Sequence, residues 1–165
     1  MPKTAAKAED MLKEGDPAPI FDLPGAGDEK VSLAALKGKK VVLYFYPKDD
    51  TSGCTKEAIE FNGLCDKFAK AKTIVVGMSP DSVKSHDKFR TKYELKLPLA
   101  SDETKETLGA YGVWVEKSMY GRKYMGVERS TFLIDVDGKI AKIWRKVKVP
   151  GHAEEVLEAA KALKA

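Results

Sequence analysis

Apolar positions along the chain follow two kinds of pattern. Three short runs are continuous and rich in β-branched and aromatic residues: KVVLYFY (40–46), TIVVGMS (73–79) and STFLIDVDGKIAKIW (130–144). Such runs predict strands, the last folded into a hairpin at Asp137-Gly138. Elsewhere the apolar residues recur every three or four positions. Between residues 51 and 71, Ala58, Phe61, Leu64, Cys65 and Phe68 form one buried stripe and predict a single helix. A second helix is expected to start at Ser79-Pro80-Asp81, with the serine as cap and the proline in the first turn, and to run to about Tyr93. Further helices are expected over 103–110 and from about 153 to 162. Strands alternating with helices predict an α/β domain, and the late hairpin must pair antiparallel, so the sheet is mixed. Residues 1–13 are read as an N-terminal extension, polar and alanine-rich at its start, and 14–165 as one domain. There is no internal repeat, low-complexity segment or linker.

Composition narrows the function classes. With 165 residues, 43% of them hydrophobic, the chain is long enough to bury a core without disulfide or metal staples. Its formal charge of +4 is spread over lysines that alternate with acids, as in DKFAKAK and SVKSHDKFRTKYE. No basic stripe interleaved with aromatics is present, which argues against nucleic-acid binding. No run approaches the roughly 18 apolar residues of a membrane span, and the opening MPKTAAKAEDMLKEGDPAP lacks the apolar centre of a secretion signal. The expected location is the reducing cytoplasm.

Both cysteines fall in the segment 51–71. Cys54 lies in the expected first helical turn, directly after the strand and the turn PKDDTSG. Unpaired N–H groups and the positive end of the dipole at a helix start favour a thiolate, the nucleophilic form of cysteine. The plainer alternative is a small buried hydrophobe. Gly53 is expected to leave the approach to sulfur open, Thr51 presents a hydroxyl, and Pro47 fixes the turn. Cys65 stands eleven residues on; along one helix this is roughly 16 Å. A disulfide needs α-carbons about 4.4–6.8 Å apart, so the pair is not expected to bridge. Beside Phe61 and Phe68, Cys65 reads as a buried structural cysteine. His86, in a charge-rich helix expected to be exposed, and His152, near a helix start, suggest no Cys–His pair. The cysteine and histidine spacings match no zinc site, and no metal is expected.

Pro47, Thr51 and Cys54 match the PxxxTxxC motif of peroxiredoxins, and YFYPKDDTSGCTKEA resembles the PrxQ or bacterioferritin-comigratory-protein (BCP) subfamily. GDPAPIFDLPG, VVGMSPDSVKSHDKF and YMGVERSTFLIDVDGKI resemble it too, in the same order, so the likeness covers nearly all of the chain after about Glu14. This resemblance implies a thioredoxin-like fold with a central mixed β-sheet flanked by helices. It also implies thiol-dependent reduction of hydrogen peroxide and organic hydroperoxides, an antioxidant role, and no cofactor. By the same resemblance Cys54 is the peroxidatic nucleophile, oxidised to a sulfenic acid. Thr51 then hydrogen-bonds the peroxide with the backbone N–H groups of Gly53 and Cys54, and Pro47 shields the pocket. Arg129 stabilises the thiolate and polarises the peroxide. Glu57 is either the acid that orients this arginine or an ordinary first-turn acid.

The chain departs from the subfamily at the resolving cysteine. One usual position, five residues after Cys54, holds Ile59, and the other, within SVKSHDKFRTKYE, has no cysteine. A 1-Cys mechanism is therefore expected, with an external thiol, either thioredoxin or glutathione with glutaredoxin, and a monomer or weak dimer. Two alternatives stand beside it. A disulfide reductase of the same fold normally needs CxxC, which SGCTKE lacks. A non-enzymatic redox sensor or holdase would react once instead of turning over with added thiol.

Overall fold

The computed structural model describes residues 11–164, and residues 1–10 of the expected N-terminal extension lie outside the described residues. In chain order the elements are β1 (Asp22–Pro24), β2 (Lys30–Ser32), β3 (Lys40–Phe45), α1 (Ser52–Gly63), α2 (Cys65–Lys70), β4 (Thr73–Ser79), α3 (Val83–Tyr93) and β5 (Leu99–Ser101). Then follow α4 (Glu106–Ala110), β6 (Trp114–Met119), β7 (Arg122–Val127), β8 (Ser130–Ile134), β9 (Ile140–Trp144) and α5 (His152–Ala162).

The central sheet has the order β5-β4-β3-β8-β9. β3 runs parallel to β4, and β4 to β5, while β8 is antiparallel to both β3 and β9, giving the expected mixed sheet. Burial on both faces explains why β3 and β4 read as continuous apolar runs. Side chains alternate across a strand, so Val42, Tyr44 and Tyr46 join Phe61, Phe68, Phe89 and Val156 in one core cluster. Val41, Leu43 and Phe45 join Leu108, Tyr111 and Phe132 in the other. Tyr44 stacks on Phe61 of α1 with ring centroids 4.6 Å apart, fixing α1 on the sheet. Burying each such side chain stabilises the fold by roughly 1.5–3 kcal/mol.

The structure corrects several expected boundaries. The helix expected over 51–71 is two helices, broken at Leu64 (φ −102°, ψ 3°). Gly63, a poor helix former, immediately precedes the break. Cys65 therefore opens α2 instead of extending α1, and it is half-buried instead of fully buried. α3 starts at Val83, because Ser82 is the residue whose hydroxyl accepts from the N–H of Ser85, at 3.1 Å. Ser79 ends β4 and donates its hydroxyl to Asp81 (2.8 Å). α4 is shorter than the 103–110 expected, since the chain first turns at Asp102, whose carboxylate accepts from Leu108 N at 2.8 Å. The β6–β7 hairpin was not expected at all. It turns at Tyr120 (φ 51°) and Gly121 (φ 77°), two consecutive left-handed residues as a two-residue hairpin turn requires.

Lys40, at the start of β3, is buried and donates its Nζ to the carbonyls of Ala160 (2.6 Å) and Leu163 (2.8 Å), closing the C-terminal end of α5. Among the described residues no helix is long and apolar enough to cross a membrane.

Candidate active site

β3 ends at Phe45, and the chain passes through Tyr46 and Pro47 into a loop that re-enters as α1. This places the start of α1 at the C-terminal ends of the parallel strands, where open α/β sheets bind ligands. Thr51 holds the N-cap position in extended conformation, and its carbonyl accepts from Thr55 N at 2.8 Å. Cys54 is the third residue of α1 and is buried, 1% exposed.

Arg129, between β7 and β8, reaches this helix start. Its Nη2 donates to Cys54 Sγ at 3.2 Å and its Nη1 to Glu57 Oε1 at 2.6 Å. Its carbonyl accepts from Val147 N at 2.9 Å, which anchors the backbone behind the guanidinium. A Cβ on Gly53 would stand 3.3 Å from Arg129 Nη2. The glycine thus makes room for the arginine, where the sequence pointed to an open approach to sulfur.

Glu57 is 1% exposed. Burial pushes its carboxyl up to about 7, against the opposing pull of Arg129. For Arg129, burial lowers the guanidinium pKa, but pairing with Glu57 and Cys54 outweighs it and the net shift is upward. Lys117 on β6, which the sequence did not single out, is a second cation near the site. Burial and then Arg129 depress it, while Glu128 and Cys54 pull it back up. Its place on an unforeseen hairpin hid it.

The other expected site residues lie around this core. Thr51 is exposed, and its hydroxyl donates to Lys48 O at 2.9 Å, leaving the oxygen's lone pairs able to accept. Pro47 is half-buried at the start of the loop. Ile59 is exposed on α1. Cys65 lines a separate groove with Phe68, Thr73, Leu97 and Pro98, and burial raises its thiol pKa. Both thiols are free.

His86 differs from expectation, whereas His152 opens α5 as expected. His86 is fully buried instead of exposed, with Nδ1 2.7 Å from Asp49 Oδ2. Asp81 joins them in a cluster of three metal-ligand types, but the direct His86–Asp49 hydrogen bond occupies the space an ion would need between them. His152 is also buried, with Nε2 2.8 Å from Thr131 Oγ1, and burial lowers its pKa to about 4.

Comparison with known proteins shows the family and the fold. The AhpC/TSA family pattern matches residues 14–143. Peroxiredoxin Bcp of Bacillus subtilis is 46% identical over 150 residues, 91% of this chain and 96% of that one. A crystal structure of Xylella fastidiosa PrxQ superposes with a TM-score of 0.87 at 43% identity, covering 92% of this chain and 96% of the other. The bacterioferritin comigratory protein of Xanthomonas campestris superposes with a TM-score of 0.83 at 46% identity, covering 86% and 90%. The fold is thus the thioredoxin-like fold of the peroxiredoxins, and with a family match across most of its length the chain belongs to the AhpC/TSA family, as a thiol-dependent peroxidase of the Bcp/PrxQ kind.

Proposed function

We propose that Cys54 is the peroxidatic nucleophile and that the chain, read as a catalytic domain over 14–165, works by a 1-Cys mechanism. The carrying observation is the 3.2 Å hydrogen bond from Arg129 Nη2 to Cys54 Sγ at the start of α1. The thiolate attacks the terminal oxygen of ROOH. An S–O bond forms, the O–O bond breaks, and its electron pair leaves as RO⁻, which takes up a proton to give ROH. Sulfur is oxidised to Cys54–SOH and the peroxide is reduced to an alcohol, or to water when R is hydrogen. Thr51 Oγ1 accepts from the peroxide hydroxyl, while Arg129 and the N–H groups of Gly53 and Cys54 stabilise charge growing on the leaving oxygen. Glu57 holds the second arm of Arg129, and Pro47 shields the pocket.

A thiol R′SH then attacks the sulfenic sulfur, releasing water and leaving Cys54–S–SR′. A second R′SH returns the thiol and leaves R′SSR′. The external donor is thioredoxin, or glutathione with glutaredoxin. The need for an external donor is supported by the position of Cys65, which sits on α2 beyond the break at Leu64 in its own groove. The X. campestris relative is described for alkyl peroxide reduction, which favours organic hydroperoxides among the substrates here. Free thiols fit a reducing compartment such as the cytoplasm.

Steady consumption of cumene hydroperoxide with either thiol system tests this. Cys54→Ser is expected to abolish turnover, and turnover surviving in that variant rejects Cys54 as nucleophile. One equivalent consumed and no more would favour a redox sensor.

A further inference from the structure

The loop that leads into α1 is gripped by α3 at both of its aspartates. Asp49 is 8% exposed, and its carboxylate accepts from Tyr46 OH (2.6 Å), Ser85 Oγ (2.8 Å) and His86 Nδ1 (2.7 Å). Its backbone N–H donates to Asp81 Oδ2 at 2.7 Å, the oxygen that also accepts from Ser79 Oγ. Asp50 follows with φ 60°, a left-handed conformation that residues other than glycine adopt uncommonly. Its carboxylate accepts from Lys92 Nζ (2.8 Å) and Tyr93 OH (2.6 Å) at the far end of α3.

His86 ties this clamp to the sheet. Its Nε2 lies 2.9 Å from the carbonyl of Ala100 on β5, opposite the nitrogen that meets Asp49. Each ring nitrogen thus faces an oxygen acceptor, a carboxylate on one side and a backbone carbonyl on the other. A buried polar pair of this kind adds little net stability compared with apolar packing, and its use lies in selecting one geometry.

Resting on the reading of Cys54 as nucleophile, we propose that His86 is a positioning residue for the peroxide step. By holding the Asp49 carboxylate from the buried face of α3 it fixes the loop that carries Thr51, and so the spacing between the Thr51 hydroxyl and the Cys54 sulfur on which peroxide alignment depends, while the Ala100 contact only steadies the ring. Misplacement of an aligning group by about 1 Å costs on the order of 10²-fold in rate.

Two near-isosteric variants separate positioning from simple structural support. The side-chain amide of His86→Asn falls where Nδ1 was and keeps the donor to Asp49. That of His86→Gln falls where Nε2 was and keeps only the donor to Ala100. Each loses one hydrogen bond. In a Cys65→Ser background, stopped-flow reduction of cumene hydroperoxide is expected to slow about tenfold or more in His86→Gln and by less than about threefold in His86→Asn. Alkylation of Cys54 by iodoacetamide, which needs no alignment by Thr51, is expected to stay within about twofold in both, since the Arg129 contact is untouched. Equal slowing in the two variants, or a near-normal rate in His86→Gln, overturns the proposal. Should His86→Gln not fold, Asp49→Asn takes its place with the same expected slowing, and a near-normal rate there overturns the proposal equally. Peroxidase activity in a parallel Cys54→Ser protein would instead reject the nucleophile itself.

Discussion

Arg129 stands over Cys54, its Nη2 donating to Sγ at 3.2 Å while the other arm of the same guanidinium rests on the buried carboxylate of Glu57. Only a planar fork makes both contacts at once. Arg129→Ala is therefore expected to slow peroxide reduction by about 10²-fold, the scale seen when a donor to developing charge is removed. Arg129→Lys supplies charge without the fork and is expected to recover only part of the loss. Stopped-flow rates measure both, and a near-normal rate in a folded Arg129→Ala protein would remove Arg129 from the chemistry.

Glu57 makes the folded state pH-dependent in a defined direction. Burial raises its carboxyl from 4.5 to about 7. Between those values the folded chain keeps a proton that the unfolded chain has lost, so this group's contribution is fully present below about 4.5 and is lost as the pH rises through about 7. Glu57→Gln removes the titrating group. Urea midpoints across this window are expected to decline with pH in the parent and to decline less in the variant. Parallel profiles would contradict the assignment.

Lys40 gives a prediction for stability alone. Its Nζ closes the C-terminal end of α5 through Ala160 O and Leu163 O, and burial followed by the charge of Lys72 lowers its pKa. Lys40→Met keeps the apolar stem but leaves these carbonyls without their donor. A loss of about 1–3 kcal/mol is expected in denaturant unfolding, the usual cost of a buried group left unsatisfied. Faster amide exchange in the last turn of α5 should accompany it, with the peroxide rate unchanged. An unaltered midpoint would show that the helix end is closed by other means.

What the sequence disclosed depended on how local the cause was. TIVVGMS is β4 to the residue, because a strand buried on both faces needs an unbroken apolar run. Ser79 was expected to cap α3, and the side-chain geometry gives that place to Ser82 instead. The apolar stripe through Leu64 and Cys65 concealed the break after Gly63. Tyr120-Gly121 turned the missed hairpin without the Asn-Gly or Asp-Gly pair that usually marks one. At the candidate site, the likeness to peroxiredoxins pointed to Cys54, Thr51 and Arg129 and left Glu57 open, but Arg129 stands 75 residues from Cys54 and its reach is tertiary. His86 was misread because Lys84, Asp87 and Lys88 around it are exposed. Its spacing from Phe89 and Tyr93, three and then four residues, was a readable sign of the buried face of α3.

The fate of oxidised Cys54 tests the 1-Cys mechanism most directly. Residues Thr55 to Gly63 of α1 and the turn at Leu64 lie between the two cysteines, and Phe61 and Phe68 on either side of that turn are fully buried in the core. Bringing Cys65 to Cys54 would mean unpacking both rings, so the proposed mechanism gives the sulfenic acid no internal partner. Under excess peroxide it is expected to advance to sulfinic acid, read by intact mass as a second added oxygen. Glutathione present from the start should divert it to a mixed disulfide and preserve activity. On a non-reducing gel the peroxide-treated protein should run as a monomer of unchanged mobility, and Cys65→Ser should behave like the parent. A faster monomer band that vanishes in Cys65→Ser would show an internal bridge. A dimer band that vanishes in the same variant would show Cys65 resolving between two copies, and either result would replace the external thiol with Cys65 as the first attacker.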